Sequence, residues 1–154
     1  MLAKALVFTF LLATNSAPCL ASQAELSGVW IWRSCDNSAG VLLCEKFQMV
    51  LVETGSKLCG SYEASTNDRE NMFEPRSIEG TRVKNSARLS VKGSAGNIYA
   101  VKLVRNGNSL IWRTGEKLYE SKYSGPLELI HTTIKLRRSR NSRLVEVVKA
   151  QCAT

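Results

Sequence analysis

The chain has 154 residues, of which 44% are hydrophobic and 22% charged; that is one domain's worth, and enough to bury a real core. Its 21 Lys and Arg outweigh 13 Asp and Glu, a net charge of +8 that favours anionic partners (envelope polymers, acidic proteins, nucleic acid or anionic lipid) and serves solubility equally well. No internal repeat or low-complexity tract is present, so repeat architectures are excluded.

The N-terminus reads as a cleavable signal peptide over 1–21. Lys4 supplies the positive start, Ala5 to Ala13 the apolar run, and Cys19-Leu20-Ala21 the small residues a signal peptidase reads. Cleavage is expected after Ala21, with Ala24 as second choice. The apolar run is far short of the ~20 residues of a membrane-spanning helix, and Ser16 and Pro18 do not fit a lipid-anchor signal at Cys19. Removal of the leader takes only Lys4 from the charge balance, leaving 20 basic against 13 acidic residues in one domain over 22–154.

The mature chain reads as short β-rich runs separated by turn signals, the pattern of an antiparallel barrel or sandwich. Gly28 to Ser34 carries Val29, Trp30, Ile31 and Trp32. Phe47 to Glu53 follows a cysteine loop, and Thr54-Gly55-Ser56 turns the chain into Lys57 to Ser65. There Leu58, Gly60, Tyr62 and Ala64 share one face, and Cys59 lies on the polar, outward face. Thr66 to Glu74 is expected as a polar loop. Arg76 to Val83, Ala87 to Lys92 and Ile98 to Arg105 are the next strands. Asn106-Gly107 is the strongest hairpin signal. Ser109 to Thr114 follows, Gly115 opens a looser region, and Leu127 to Arg138 is the last strand, the eighth. No stretch shows a convincing helical period, and the tail from Leu144 to Cys152 is expected to lie along the outside. The fold class is all-β, an up-and-down barrel of about eight strands, with a β-sandwich as the alternative.

Four cysteines remain after the leader: Cys35, Cys44, Cys59 and Cys152. An even set in an exported domain reads as two disulfides, and the spacings do not suit zinc. Three pairings are open. Cys35–Cys44 and Cys59–Cys152 is the favoured one, since outward Cys59 can meet a tail crossing the barrel wall.

Gly28-Val29-Trp30 at the first strand and Ile134-Lys135-Leu136-Arg137 at the last resemble the calycin superfamily of lipocalin- and avidin-type barrels. The resemblance implies that Trp30 floors the closed end, with Arg137 or Lys135 lying across it. A bond from an early strand to the C-terminal tail also suits that class. Leu58 to Ser65 is similar to the third strand of avidins, but Trp32 and His131-Thr132-Thr133 stand where the biotin-binding residues belong, so biotin binding is not expected.

The chemistry of catalysis finds no foothold. His131 is the only histidine and has no partner at a motif spacing. No nucleophile elbow, phosphate-cradling glycine loop or zinc-protease motif is present. Asp68, Glu70 and Glu74 share one polar loop and read as solvated rather than as a glycosidase pair. The expectation is a protein that is not an enzyme and needs no cofactor or metal.

Two groups are left as binding candidates. Trp32, Tyr62, Tyr99 and Trp112 are candidates for a ligand pocket, although aromatic residues in strands are more often core. Lys135, Arg137, Arg138, Arg140 and Arg143 form an anion-binding candidate with no acid before Glu146. Without interleaved aromatics they make no single-strand nucleic-acid platform, and nucleic acid is not an expected partner. The favoured reading is an exported binding domain, periplasmic or secreted, for a protein partner of the inhibitor or immunity type. The alternatives are a carrier of a small apolar or aromatic ligand, and an envelope-associated protein that holds an anionic polymer on its basic closing strand.

Overall fold

The computed structural model describes residues 25–37, 40, 42–66, 69–70, 74–93, 95–122 and 133–153. The expected signal peptide, Asp68 and His131 lie outside them. Among the described residues, nine strands and one helix follow in chain order: β1 (Gly28–Asp36), β2 (Leu43–Thr54), β3 (Lys57–Thr66), β4 (Arg69–Glu70), β5 (Glu74–Val83), β6 (Ser86–Lys92), β7 (Ile98–Asn106), β8 (Ser109–Tyr119), β9 (Thr133–Arg138) and α1 (Arg143–Cys152). Every main strand pairs antiparallel with its sequence neighbour, and β9 pairs back onto β1. The result is a closed eight-stranded up-and-down barrel, with β4 a short addition on β3. Closure removes the sheet edges that would otherwise recruit other chains.

The two ends differ. At one end β2–β3, β5–β6 and β7–β8 are joined by two-residue turns: Gly55-Ser56, Lys84-Asn85 and Gly107-Asn108. In each turn the first residue has positive φ, as hairpins of this length require. At the other end the connections are longer and carry the Cys35–Cys44 bond.

Strand phase follows from burial. Leu58, Tyr62 and Ala64 on β3, Ala87, Leu89 and Val91 on β6, and Leu110 and Trp112 on β8 point inward and fill the barrel with Trp30, Phe47, Met49 and Leu136. The rings of Tyr62 and Trp112 flank Phe47, with centroids 5.5 and 5.0 Å away. Gly60 and Gly80 are inward positions where the wall bends too tightly for a side chain. A Cβ would run into the Val50 carbonyl at the first and the Arg88 carbonyl at the second.

β2 reads as an unbroken apolar run because both its faces are covered. Met49 and Leu51 face the interior, while Val50 and Val52 lie in a second cluster with Val29 and Val148 on the outer wall. That cluster includes α1: the tail lies along the outside as expected, but as a helix, which corrects the expectation that no stretch is helical. Leu144, Val145, Val148 and Cys152 recur at helical spacing and make one apolar stripe against the barrel. Cys59–Cys152 fastens the helix to β3, as expected for an outward Cys59, and Cys35–Cys44 joins directly opposed residues of β1 and β2.

Other boundaries also differ from expectation. The expected loop over Thr66 to Glu74 contains β4, and β5 starts at Glu74. β8 does not stop at Thr114 but continues to Tyr119 through a register shift against β7, so Gly115 sits inside the strand. Asn106 and Ser109 pair with each other, which puts the hairpin turn one residue later than expected, at Gly107-Asn108. Of the last expected strand, 127–132 lie outside the described residues.

Candidate functional site

The tight-turn end of the barrel is sealed by residues 25–27, and the seal absorbs the first-strand tryptophan. Trp30 is fully buried and its Nε1 donates to the Leu26 carbonyl at 3.0 Å. The guanidinium carbons of Arg105 and Arg138 both stand 5.7 Å from the Trp30 ring centroid. Arg105 also donates to the Glu25 carbonyl at 2.7 Å, and Arg138 to the Ser27 carbonyl at 2.9 Å. Glu53 completes the plug. It accepts from the Leu26 amide at 3.0 Å and pairs with Arg82 at 2.6 Å, while its own amide donates to Ser27 Oγ at 2.8 Å. The main chain of three residues that cross a buried floor is thereby hydrogen-bonded by side chains from four strands.

This corrects the barrel-closing residue. Ile134 and Leu136 alternate inward on β9, so Arg138 shares their phase and Arg137 and Lys135 face out. Arg137 stands opposite Ile31 on the outer wall and cannot reach Trp30 from there. Arg105, the second cation on the ring, was not anticipated. Its signal in the sequence is its phase with Val101 and Leu103 on β7.

Three of the four pocket candidates gather around Phe47, which Tyr62 and Trp112 flank and Trp32 opposes in register. Tyr62 and Trp112 are core, and Trp112 Nε1 donates to Thr114 Oγ1 at 2.9 Å. Trp32 is half-buried and packs on the core from the long-loop side. Tyr99 is half-buried at the register shift between β7 and β8.

The anion-binding candidates come together. An open groove of about 740 Å³ runs along the outer wall where β8 begins and β9 ends, lined by Asn108, Ser109, Lys135, Arg137, Arg138, Ser139 and Arg140. Its floor is the β8–β9 ladder, in which Ser109 opposes Arg137 and Ile111 opposes Lys135. Its end wall is the chain leaving the barrel. The Ser139 amide donates to the Val29 carbonyl at 2.8 Å, and the turn through Asn141 then leads into α1. Lys135, Arg137 and Arg140 are exposed, and no carboxylate pairs with them among the described residues. Arg143, the fifth candidate, opens α1 and does not line the groove. Asn108, Ser109 and Ser139 are added to the site by the β7–β8 turn and the exit turn, which no short sequence window brings together.

Compared with models of known protein families, with curated proteins and with solved structures, the chain matches none. The two disulfides fit an oxidising, extracytoplasmic compartment. No helix among the described residues is long and apolar enough to cross a membrane.

Proposed function

We propose that the protein is an exported, non-enzymatic binding domain that holds an anionic partner in the groove between β8 and β9. The observation that carries this reading is the convergence of Lys135, Arg137 and Arg140 on one open groove beside neutral hydrogen-bonding groups of Asn108, Ser109 and Ser139. Three uncompensated cations along one wall raise the local concentration of anions, and the neighbouring amides and hydroxyls fix their orientation. Export rests on the leader and is in keeping with the disulfides. The calycin resemblance is supported by Trp30 at the sealed end beneath two late-strand guanidinium groups.

A Lys135→Glu/Arg137→Glu variant is expected to lose at least about tenfold in affinity for sulfated dextran. A Lys57→Glu/Lys149→Glu variant changes net charge equally at exposed positions away from the groove, and is expected to bind nearly as the parent does. An equal loss in both would mean that net charge, not the groove, governs binding.

A second reading has its own observation. Leu42, Leu43, Leu118 and Tyr119 are exposed at the long-loop rim, which suits a protein partner of the inhibitor or immunity type. A protein-sized added mass on the native protein, lost on Leu118→Ser/Tyr119→Ser substitution, would favour it.

A further inference from the structure

The cations of the groove are one end of a longer feature. Arg88 on β6 stands directly opposite Lys102 on β7, and Lys102 directly opposite Arg113 on β8. All three side chains are exposed on the outer wall, in the phase opposite to Leu89, Leu103 and Trp112. Arg113 opposes Thr133 on β9, one pleat from Lys135. Arg88, Lys102, Arg113, Lys135 and Arg137 therefore form a track in which neighbours along the wall are about 5–8 Å apart, extending over roughly 25 Å, with Arg140 just beyond the end of β9. No Asp or Glu occurs between Glu79 and Glu116, or from Thr133 to Val145, so no acid interrupts it.

Like charges directly opposite one another on adjacent strands destabilise a sheet. Here three cations stand in one row across three strands, and no carboxylate pairs with them among the described residues. The mutual repulsion of such a row is relieved when a polyanion lies along it.

The character of the wall selects the polyanion. Its outward positions from Ser86 to Lys92, Lys102 to Asn106, Ser109 to Arg113 and Thr133 to Arg137 carry no aromatic ring, which removes both a stacking platform for bases and an aromatic anchor for a protein. The apolar side chains there, Val104 and Ile111, are half-buried and offer little to insert into a bilayer. Four of eight strands also curve around half the barrel, so a flat membrane touches only part of the track while a flexible chain follows all of it. Ser90, Asn106 and Asn108 add exposed neutral groups among the cations, suited to sugar hydroxyls.

We infer that the β8–β9 groove is one end of a track for a linear acidic polysaccharide, crossing β6 to β9 through Arg88, Lys102 and Arg113. The inference rests on the anion-binding reading and specifies its ligand. The test titrates the disulfide-bonded protein with a graded series of galacturonic acid oligomers, from the single sugar acid to the long polymer. Poly-glutamate and phosphatidylglycerol vesicles serve as competitors matched in charge. Affinity is expected to rise with chain length by about a hundredfold and then level off, as further charges on one chain engage at high effective concentration. An Arg88→Ser/Lys102→Ser/Arg113→Ser variant is expected to lose that gain, to keep the affinity for the shortest oligomers, and to melt no lower than the parent, since it removes like-charge pairs. Affinity independent of length, an unaffected triple variant, or tighter binding of poly-glutamate or vesicles overturns the track while leaving the groove. Binding of no anion at all overturns the groove reading itself.

Discussion

Replacing Cys59 and Cys152 with serine is expected to lower the unfolding free energy by about 4–5 kcal/mol. The bond spans 93 residues, so in the chain-entropy model its loss frees most of the denatured chain. Cys35–Cys44 spans nine and is expected to contribute only about 2–3 kcal/mol. The long bond also holds α1. That helix has ten residues and no side-chain cap bond at Ser142, so it is too short to persist on its own. It survives on the burial of Val148 and its neighbours against Val29, Val50 and Val52. In the double variant, hydrogen exchange in α1 is expected to become fast under conditions where the barrel amides stay protected. Urea titration reads the global loss. An unchanged midpoint with α1 still protected would show that packing alone holds the helix.

The second large effect lies at the sealed end. Glu53→Ala is expected to cost about 3–5 kcal/mol, because it takes the paired carboxylate away from a nearly buried cation. The Arg82 side chain is only 9% exposed, and the Leu26 amide loses its acceptor in the same step. A Glu53→Leu/Arg82→Leu variant is expected to recover most of this, leaving about 1–3 kcal/mol for the orphaned Leu26 amide. Losses from the two single variants that simply add in the double would contradict a coupled pair. Loosening of the plug is also expected to expose residues 25–27 to proteolysis before the barrel unfolds.

Most of the barrel is legible in the chain, because side chains alternate with period two and hairpin turns need special residues. Leu58, Tyr62 and Ala64 against Cys59 gave both the inward face and the reach of the tail disulfide. What failed were distinctions of one residue. Arg137 and Arg138 are adjacent, and only the phase set by Ile134 and Leu136 decides which one turns inward to Trp30. The spacing of Leu144, Val145, Val148 and Cys152 is helical, but three valines in that stretch favour a strand on local preference. The disulfide and the outer face of β2 override that preference. The cationic row was hidden for another reason. Arg88, Lys102 and Arg113 lie on three strands, more than ten residues apart, and meet only through register. A turn at Gly107-Asn108 sets Lys102 against Arg113, whereas a turn one residue earlier would have moved the partner by two. The acid-free stretch from Gly80 to Gly115 was the signal available in composition alone.

The most direct test of anion binding is the dependence of affinity on salt. Binding that replaces counterions on a polyanion with protein cations weakens linearly on a double-logarithmic plot, by somewhat less than one unit of slope per contact. For long acidic polysaccharide the slope is expected to be about −3 or steeper, and shallower by about one to two units in the Lys135→Glu/Arg137→Glu variant. An affinity that holds constant as salt rises, or a slope the variant leaves untouched, would contradict recognition through these cations.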